Sequence, residues 1–141
     1  MFIVRDMLAK DILPVALLLK QLSSADTDLG EFSSRFQELS GPNNGFFVAE
    51  DNKKIVGWVQ VECRNFFLFG LRSEIMGLVV DVTHRRRGVG KALIEEAEKW
   101  AFDRSSLVRL SSNVLREESH PFYLSQGYEL RKKSVIYEKQ R

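Results

Sequence analysis

Apolar residues return at three- and four-residue steps in some stretches of the chain and at two-residue steps in others, and that change of period lays out the elements. Phe2 to Arg5 reads as a short first strand. Leu8, Ile12, Val15, Ala16 and Leu19 predict a helix over 7–22, with Pro14 near its first turn because further inside it would kink the helix. A second helix is expected over 29–39, with Phe32, Phe36 and Leu39 on one face and Asp28 as N-cap. Gly41-Pro42-Asn43-Asn44-Gly45 then breaks the chain. Strands over 45–50 and 54–64 flank the turn Asp51-Asn52-Lys53, and in the second of them Trp58, Gln60, Glu62 and Arg64 alternate with Val59, Val61 and Cys63. After the aromatic stretch 66–71, the nearly continuous apolar run Ile75 to Val80 marks a central strand over 73–81. A long helix is expected over 88–102, with Val89, Leu93, Ala97, Trp100 and Ala101 buried and a Glu95–Lys99 charge pair on its surface. A strand over 107–111, a short helix over 117–126 and two closing strands over 128–131 and 134–139 complete an α/β order with helices on both faces of one mixed sheet.

The 141 residues suit one domain, 1–141, at about 100 to 200 residues per domain. Lys plus Arg (21) nearly balances Asp plus Glu (19), so the net charge of +2 supplies no broad field for nucleic acid or an anionic membrane, and neither is expected as a partner. Any anion site must be local. The single cysteine, Cys63, excludes an internal disulfide framework and a cysteine-dominated zinc site; no metal site is expected, and a reducing, cytoplasmic setting fits best. The longest apolar run, Ile12 to Leu19, contains Pro14 and is far shorter than the span of about 20 residues a membrane helix needs, and the N-terminus does not look like a secretory signal.

The richest segment runs from Glu74 to Lys91, where a buried strand enters a basic turn that opens a helix with Gly88, Val89 and Gly90. The first N–H groups of a helix lack internal partners and carry the positive end of its dipole, so an anion is expected there. Glycine admits a close approach of phosphate oxygens, while Arg85, Arg86, Arg87 and Lys91 add charge around the same point. A Walker A loop is disfavoured, because Arg85 occupies the place of its first glycine and Ala92 that of the metal-binding hydroxyl residue. A Rossmann fingerprint fails because Leu93 stands at the third glycine position. A diphosphate held by backbone amides without a bound metal remains.

Arg85-x-x-Gly88-x-Gly90 after an apolar strand resembles the acetyl-CoA signature of the GCN5-related N-acetyltransferase (GNAT) superfamily, and Pro121-Phe122-Tyr123-x-x-x-Gly127-Tyr128 looks like the family's second landmark. The resemblance implies a single-domain GNAT-like fold, acetyl-CoA as co-substrate and a primary amine of a small molecule or protein as acceptor. It places the coenzyme A diphosphate on Arg85 to Lys91 and the pantetheine arm along Leu78, Val79 and Val80, with the Leu78 N–H a candidate donor to the acetyl carbonyl. A proline common in the family's turn is absent, and Val82 and Thr83 stand there. Asn113 is a candidate pantetheine ligand or a plain turn asparagine.

Amide formation needs two proton movements. A lysine-like amine at pH 7 costs about 4.6 kcal/mol to deprotonate, from roughly 3.4 pK units. Glu74, spaced from the Arg85 motif like the catalytic glutamate of the histone-acetylating branch, is a candidate base, against a solvated strand-end carboxylate or a water chain. Tyr123, by resemblance the general acid for the leaving thiolate, is weighed against a core aromatic whose hydroxyl caps a carbonyl. His120 is expected to be structural or at the cofactor's edge, His84 a solvated neighbour, and Cys63 too buried for a covalent route. By resemblance the acceptor pocket takes residues from 23–28 and 64–69. Asp26 and Asp28 suit a cationic acceptor or simply loop solvation and capping; Phe66, Phe67 and Phe69 suit a channel wall, the core or a homodimer contact. A non-catalytic acyl-CoA-binding or sensing module needs neither Glu74 nor Tyr123, and a nucleic-acid patch at Arg85 to Arg87 lacks a wider basic face.

Overall fold

The computed structural model describes residues 1–23 and 28–141, arranged as two compact units, Met1–Ser111 and Ser112–Arg141. The first unit holds strands β1 (Phe2–Asp6), β2 (Asn44–Asp51), β3 (Lys54–Phe66), β4 (Gly70–Val80) and β5 (Val108–Leu110), with helices α1 (Ile12–Leu19), α2 (Leu29–Leu39) and α3 (Val89–Phe102). The five strands form one sheet in the order β1-β2-β3-β4-β5. Every neighbouring pair is antiparallel except β4 and β5, which α3 joins as a parallel crossover.

Local chemistry explains the elements. Asn52 and Lys53 both take positive φ (52° and 66°), the geometry that turns β2 directly into β3. The Asp28 side chain accepts the Glu31 N–H at 2.8 Å and caps α2, as its sequence predicts. The first helix is shorter than expected: a 3-10 turn over Ala9–Asp11 precedes α1, Leu8 lies exposed outside it, and Leu18 joins Val15 in the core. Pro14, the third residue of α1, falls in the first turn, where its missing N–H costs no hydrogen bond. On the surface of α3, Lys99 pairs with Glu96 and Lys91 with Glu95, rather than Glu95 with Lys99.

Each face of the sheet buries a helix. Val15 and Leu18 of α1 pack with Val48, Ile55, Trp58 and Val79. On the other face, α3 presses close to β3 at Gly57, where an added Cβ would lie 2.8 Å from Leu93 Cδ1 and 3.0 Å from Val89 Cγ1. Gly57→Ala should therefore cost about 1–3 kcal/mol by overpacking, measured by urea unfolding, and should weaken coenzyme A binding because it displaces the first turn of α3.

Asp11 is nearly sealed from solvent and holds Arg5 in a two-pronged ion pair at 2.8 and 2.9 Å, while its Oδ2 accepts the Leu8 N–H at 2.8 Å. Burial pushes the Asp11 carboxyl up, yet the Arg5 guanidinium and the Leu8 N–H outweigh it and leave the pKa below the usual carboxylate value. A depressed folded pKa contributes stability that is complete above the unfolded value of about 3.9 and is lost as pH falls through the folded one. Asp11→Asn should thus lower stability by about 2–3 kcal/mol at pH 7 and flatten the loss of stability below about pH 4, read from urea midpoints across pH.

The second unit contains α4 (Ser119–Ser125). The closing strands expected over 128–131 and 134–139 do not form: no residue after Gln126 lies in a helix or strand, and 129–141 are exposed. Val135, Ile136 and Tyr137 give Ser134 to Lys139 the composition of a strand, but a strand also needs a paired backbone, and these residues have none. Among the described residues no helix is long and apolar enough to cross a membrane, and no group of three or more His, Cys, Asp or Glu is placed to hold a metal ion.

Candidate active site

Two backbone hydrogen bonds establish which way β4 faces. Ser73 N–H donates to the Leu107 carbonyl on the β5 side at 2.9 Å, whereas Asp81 N–H donates to the Val56 carbonyl on the β3 side at 2.8 Å. Strand alternation then turns Val79 toward β3 with Asp81, and Leu78 and Val80 toward the opposite edge. Ser73 and Leu78 can face the same edge only if one residue is extra between them. That residue is Met76: Val61 pairs with Ile75 and Gln60 with Gly77, so the register skips it as a β-bulge. Strand β5 pairs only with Ser73, Glu74 and Ile75, and among the described residues no strand lies beside β4 beyond them. Leu78 and Val80 therefore offer backbone N–H and C=O groups along an open edge, while Val79 is buried against Trp58 and holds the strand in place. Gly77 lets the Trp58 ring cross the sheet, since a Cβ there would sit 2.7 Å from it.

The open edge runs into the basic turn. Asp81 is buried and accepts the Thr83 N–H at 3.2 Å, with Lys54 3.6 Å away and the Gln21 side-chain Oε1 accepting the Val82 N–H at 3.1 Å. Burial pushes the Asp81 carboxyl up, but the Thr83, Gln21 and Lys54 partners win and hold it below its ordinary value, so it remains an anion that fixes the turn. His84, expected to be solvated, instead bridges Thr83 Oγ1 at 2.9 Å and Asp51 Oδ2 at 3.2 Å, tying the turn to the β2–β3 hairpin. Arg85, Arg86 and Arg87 are exposed. Arg86 and Gly88 both adopt left-handed backbone (φ 63° and 82°), a strain that arginine tolerates at a cost of about 1–2 kcal/mol and glycine avoids.

Gly88 is the N-cap of α3 and no side chain caps the helix. The N–H groups at Val89, Gly90 and Lys91 thus emerge toward a turn carrying three exposed guanidinium groups, and nothing lies within 4 Å of where a Cβ on Gly88 would be. Val89 itself is buried against the sheet, which anchors the corner. This arrangement can receive a diphosphate, with an extended chain continuing along Leu78 and Val80 by strand addition.

Glu74 lies two strand-pairs from the bulge, flanked by Glu62 on β3 and Arg109 on β5. A small cavity of about 250 Å³ opens there, lined by Glu62, Arg64, Phe66, Arg72, Glu74 and Arg109. Its arginines are not visible as a site in the sequence, because only the register of three strands brings them together. Glu74 and Leu78 oppose Glu62 and Val59, three residues apart on β3, so at about 3.3 Å per residue they stand roughly 10 Å apart and proton transfer between the two positions requires intervening water. Phe67 and Phe69 are exposed at the β3–β4 turn, which removes the core reading for both.

In the second unit, Tyr123 packs edge-on against Phe122 and Tyr128, with ring centroids 5.3 and 6.3 Å away. Burial raises the Tyr123 pKa, partly opposed by Arg116, so its hydroxyl remains a donor through neutral and mildly alkaline pH. The Asn113 side-chain oxygen accepts the Leu115 N–H at 2.9 Å, and its backbone oxygen lies 3.1 Å from His120 Nε2. Asn113 therefore has its amide nitrogen left for a ligand, and His120 has a structural partner. Residues 24–27, including Asp26, lie outside the described residues, and Asp28 serves as the α2 cap.

Comparison with known proteins bears on the fold and the family. The chain is 31% identical over 104 residues to N-acetyltransferase 8 of Homo sapiens, covering 72% of this chain but only 45% of that protein. It is 31% identical over 115 residues to an aminoalkylphosphonate N-acetyltransferase of Salmonella typhimurium, covering 79% of this chain and 74% of the relative. An aminoglycoside N-acetyltransferase solved in complex with CoA shares the fold with a TM-score of 0.88 at 19% identity, over 100% of this chain and 96% of that one. The model of the acetyltransferase (GNAT) family matches residues 15–128, and the chain belongs to that family.

Proposed function

We propose that residues 1–141 work as one N-acetyltransferase domain that moves an acetyl group from acetyl-CoA to a primary amine of a small molecule or protein by direct attack. The observation that carries this reading is the continuity of the site: an open β4 edge at Leu78 and Val80 leads straight into the uncapped N-terminus of α3. Backbone N–H groups at Gly88, Val89, Gly90 and Lys91 hold the diphosphate, aided by Arg85, Arg86 and Arg87. Leu78 and Val80 bind the pantetheine arm as a partial strand, and the Asn113 amide nitrogen donates to it.

The Leu78 N–H then stabilises the oxyanion as the amine forms its C–N bond. Glu74 receives the amine proton through water, and the C–S bond breaks as the Tyr123 hydroxyl protonates the departing thiolate. A non-catalytic acyl-CoA sensor needs neither Glu74 nor Tyr123, and the presence of both favours the enzyme. A cytoplasmic setting accords with a lone, buried, unpaired Cys63.

Thermal shift combined with free-thiol release tests the reading. Acetyl-CoA at about 100 times its Kd should stabilise the protein by about 2.7 kcal/mol, worth roughly 5–10 °C. Thiol release should depend on an added amine. No stabilisation at saturating acetyl-CoA refutes the enzyme, and stabilisation without amine-dependent release by any amino acid, polyamine, aminoglycoside or peptide favours the sensor.

A further inference from the structure

The sheet ends where a strand can still be added, and the chain carries a strand-forming segment with no sheet. Strand β5 pairs with β4 on one side, and among the described residues its other edge meets no strand. Such an edge is a template for a further strand unless charge, proline or a bulge blunts it. Val108, Arg109 and Leu110 bring one charge and no proline to this edge, and exposed apolar side chains gather beside it. Leu107, whose carbonyl accepts the Ser73 N–H, leads into β5; Leu71 lies two residues before Ser73, and Phe67 and Phe69 stand in the turn ahead of β4. All four are exposed.

Ser134 to Lys139 is the complement. Val135, Ile136 and Tyr137 are 74%, 82% and 90% exposed, and three successive strand-forming apolar residues in that state mark an interaction surface. Among the described residues this segment pairs with no strand of its own chain, so the edge that receives it belongs to another copy. Alternation fits the match. With Glu138 opposite Arg109, Ile136 shares the Arg109 face, while Val135 and Tyr137 fall on the face of Val108 and Leu110, whichever way the added strand runs. Neither Arg109 nor Glu138 has an ion pair or side-chain hydrogen bond among the described residues. Arg109 also lines the cavity at Glu74, where three arginines face two glutamates, so one added carboxylate balances the charge. We propose that two copies of the chain form a closed dimer by exchanging Ser134 to Lys139, each laying that segment along the β5 edge of the other. Each copy gives one strand and receives one, which leaves no exchanged strand to recruit a third.

The test combines sedimentation with cross-linking of the full chain. Wild-type protein should sediment as a dimer that dissociates on dilution. Ile136→Asp should raise its dissociation constant by about 100-fold or more, because a carboxylate cannot be buried where an isoleucine packs. Ile136 is exposed in the single chain, so the substitution leaves the fold itself intact, which circular dichroism checks. Arg109→Cys chains mixed with Glu138→Cys chains and mildly oxidised should give a disulfide-linked species of twice the chain mass that joins the two variants at those positions, as peptide mass spectrometry reads directly. Cys63 is buried and takes no part. A wild-type chain that stays monomeric at every concentration, a dimer as tight in Ile136→Asp as in wild type, or no mixed cross-link overturns the exchange. So does an Arg109→Cys/Glu138→Cys double variant whose disulfide forms only within one chain, since the segment would then fold back onto its own β5.

Discussion

Replacing Tyr123 with phenylalanine should lower kcat by about 10²–10⁴-fold while leaving acetyl-CoA affinity within about twofold. The ring contacts to Phe122 and Tyr128 survive the substitution, so packing is preserved and only the hydroxyl is lost. That hydroxyl has no hydrogen-bond partner among the described residues. Burial first, with Arg116 in opposition, keeps the phenol protonated, as a donor to a departing thiolate must be. The alkaline limb of the wild-type kcat profile should accordingly lie above the ordinary tyrosine range and disappear in the variant. Stopped-time thiol release across pH, beside calorimetric titration of acetyl-CoA, measures both quantities. Unchanged kcat would remove the acid role.

Gly88→Val should weaken coenzyme A binding by about 100-fold or more. The backbone carries the first part of that effect: valine at φ 82° pays about 1–2 kcal/mol, so the turn relaxes toward another conformation. The ligand carries the rest, since a hydrogen bond to a charged group contributes about 1.5–3 kcal/mol and the branched side chain fills the open space beside the helix N–H groups. Arg85→Ala should cost about tenfold or less, because an exposed guanidinium acts through screened charge. Calorimetry on the two variants separates backbone recognition from charge. A larger loss in Arg85→Ala than in Gly88→Val would mean that the arginines, and not the amides, bind the diphosphate.

How much of this is legible in the chain depends on the range of the interaction involved. Asp28 caps α2, Asn52-Lys53 turns the hairpin, and Gly88 starts α3 because each depends on neighbours a few residues away. Arg85 to Gly90 and Tyr123 are proposed from motifs that are likewise local in the sequence. The bulge at Met76 is not, because an extra residue shows itself only against the partner strand β3. Nor is the grouping of Arg72 and Arg109 with Glu74, which requires the parallel β4–β5 register. His84 is another case: its partner Asp51 is distant in sequence, so nothing local predicts that bridge. The reverse error occurs at Ser134 to Lys139, where the strand-forming residues Val135, Ile136 and Tyr137 have no ladder to join.

The most direct test is a titration of ¹⁵N-labelled protein with coenzyme A, compared with pantetheine, which lacks the diphosphate. The account predicts that Gly88, Val89 and Gly90 amide resonances move with coenzyme A alone, while Leu78 and Val80 move with both. Saturating coenzyme A that leaves the Gly88 to Gly90 amides unmoved, with its largest shifts elsewhere, would contradict it.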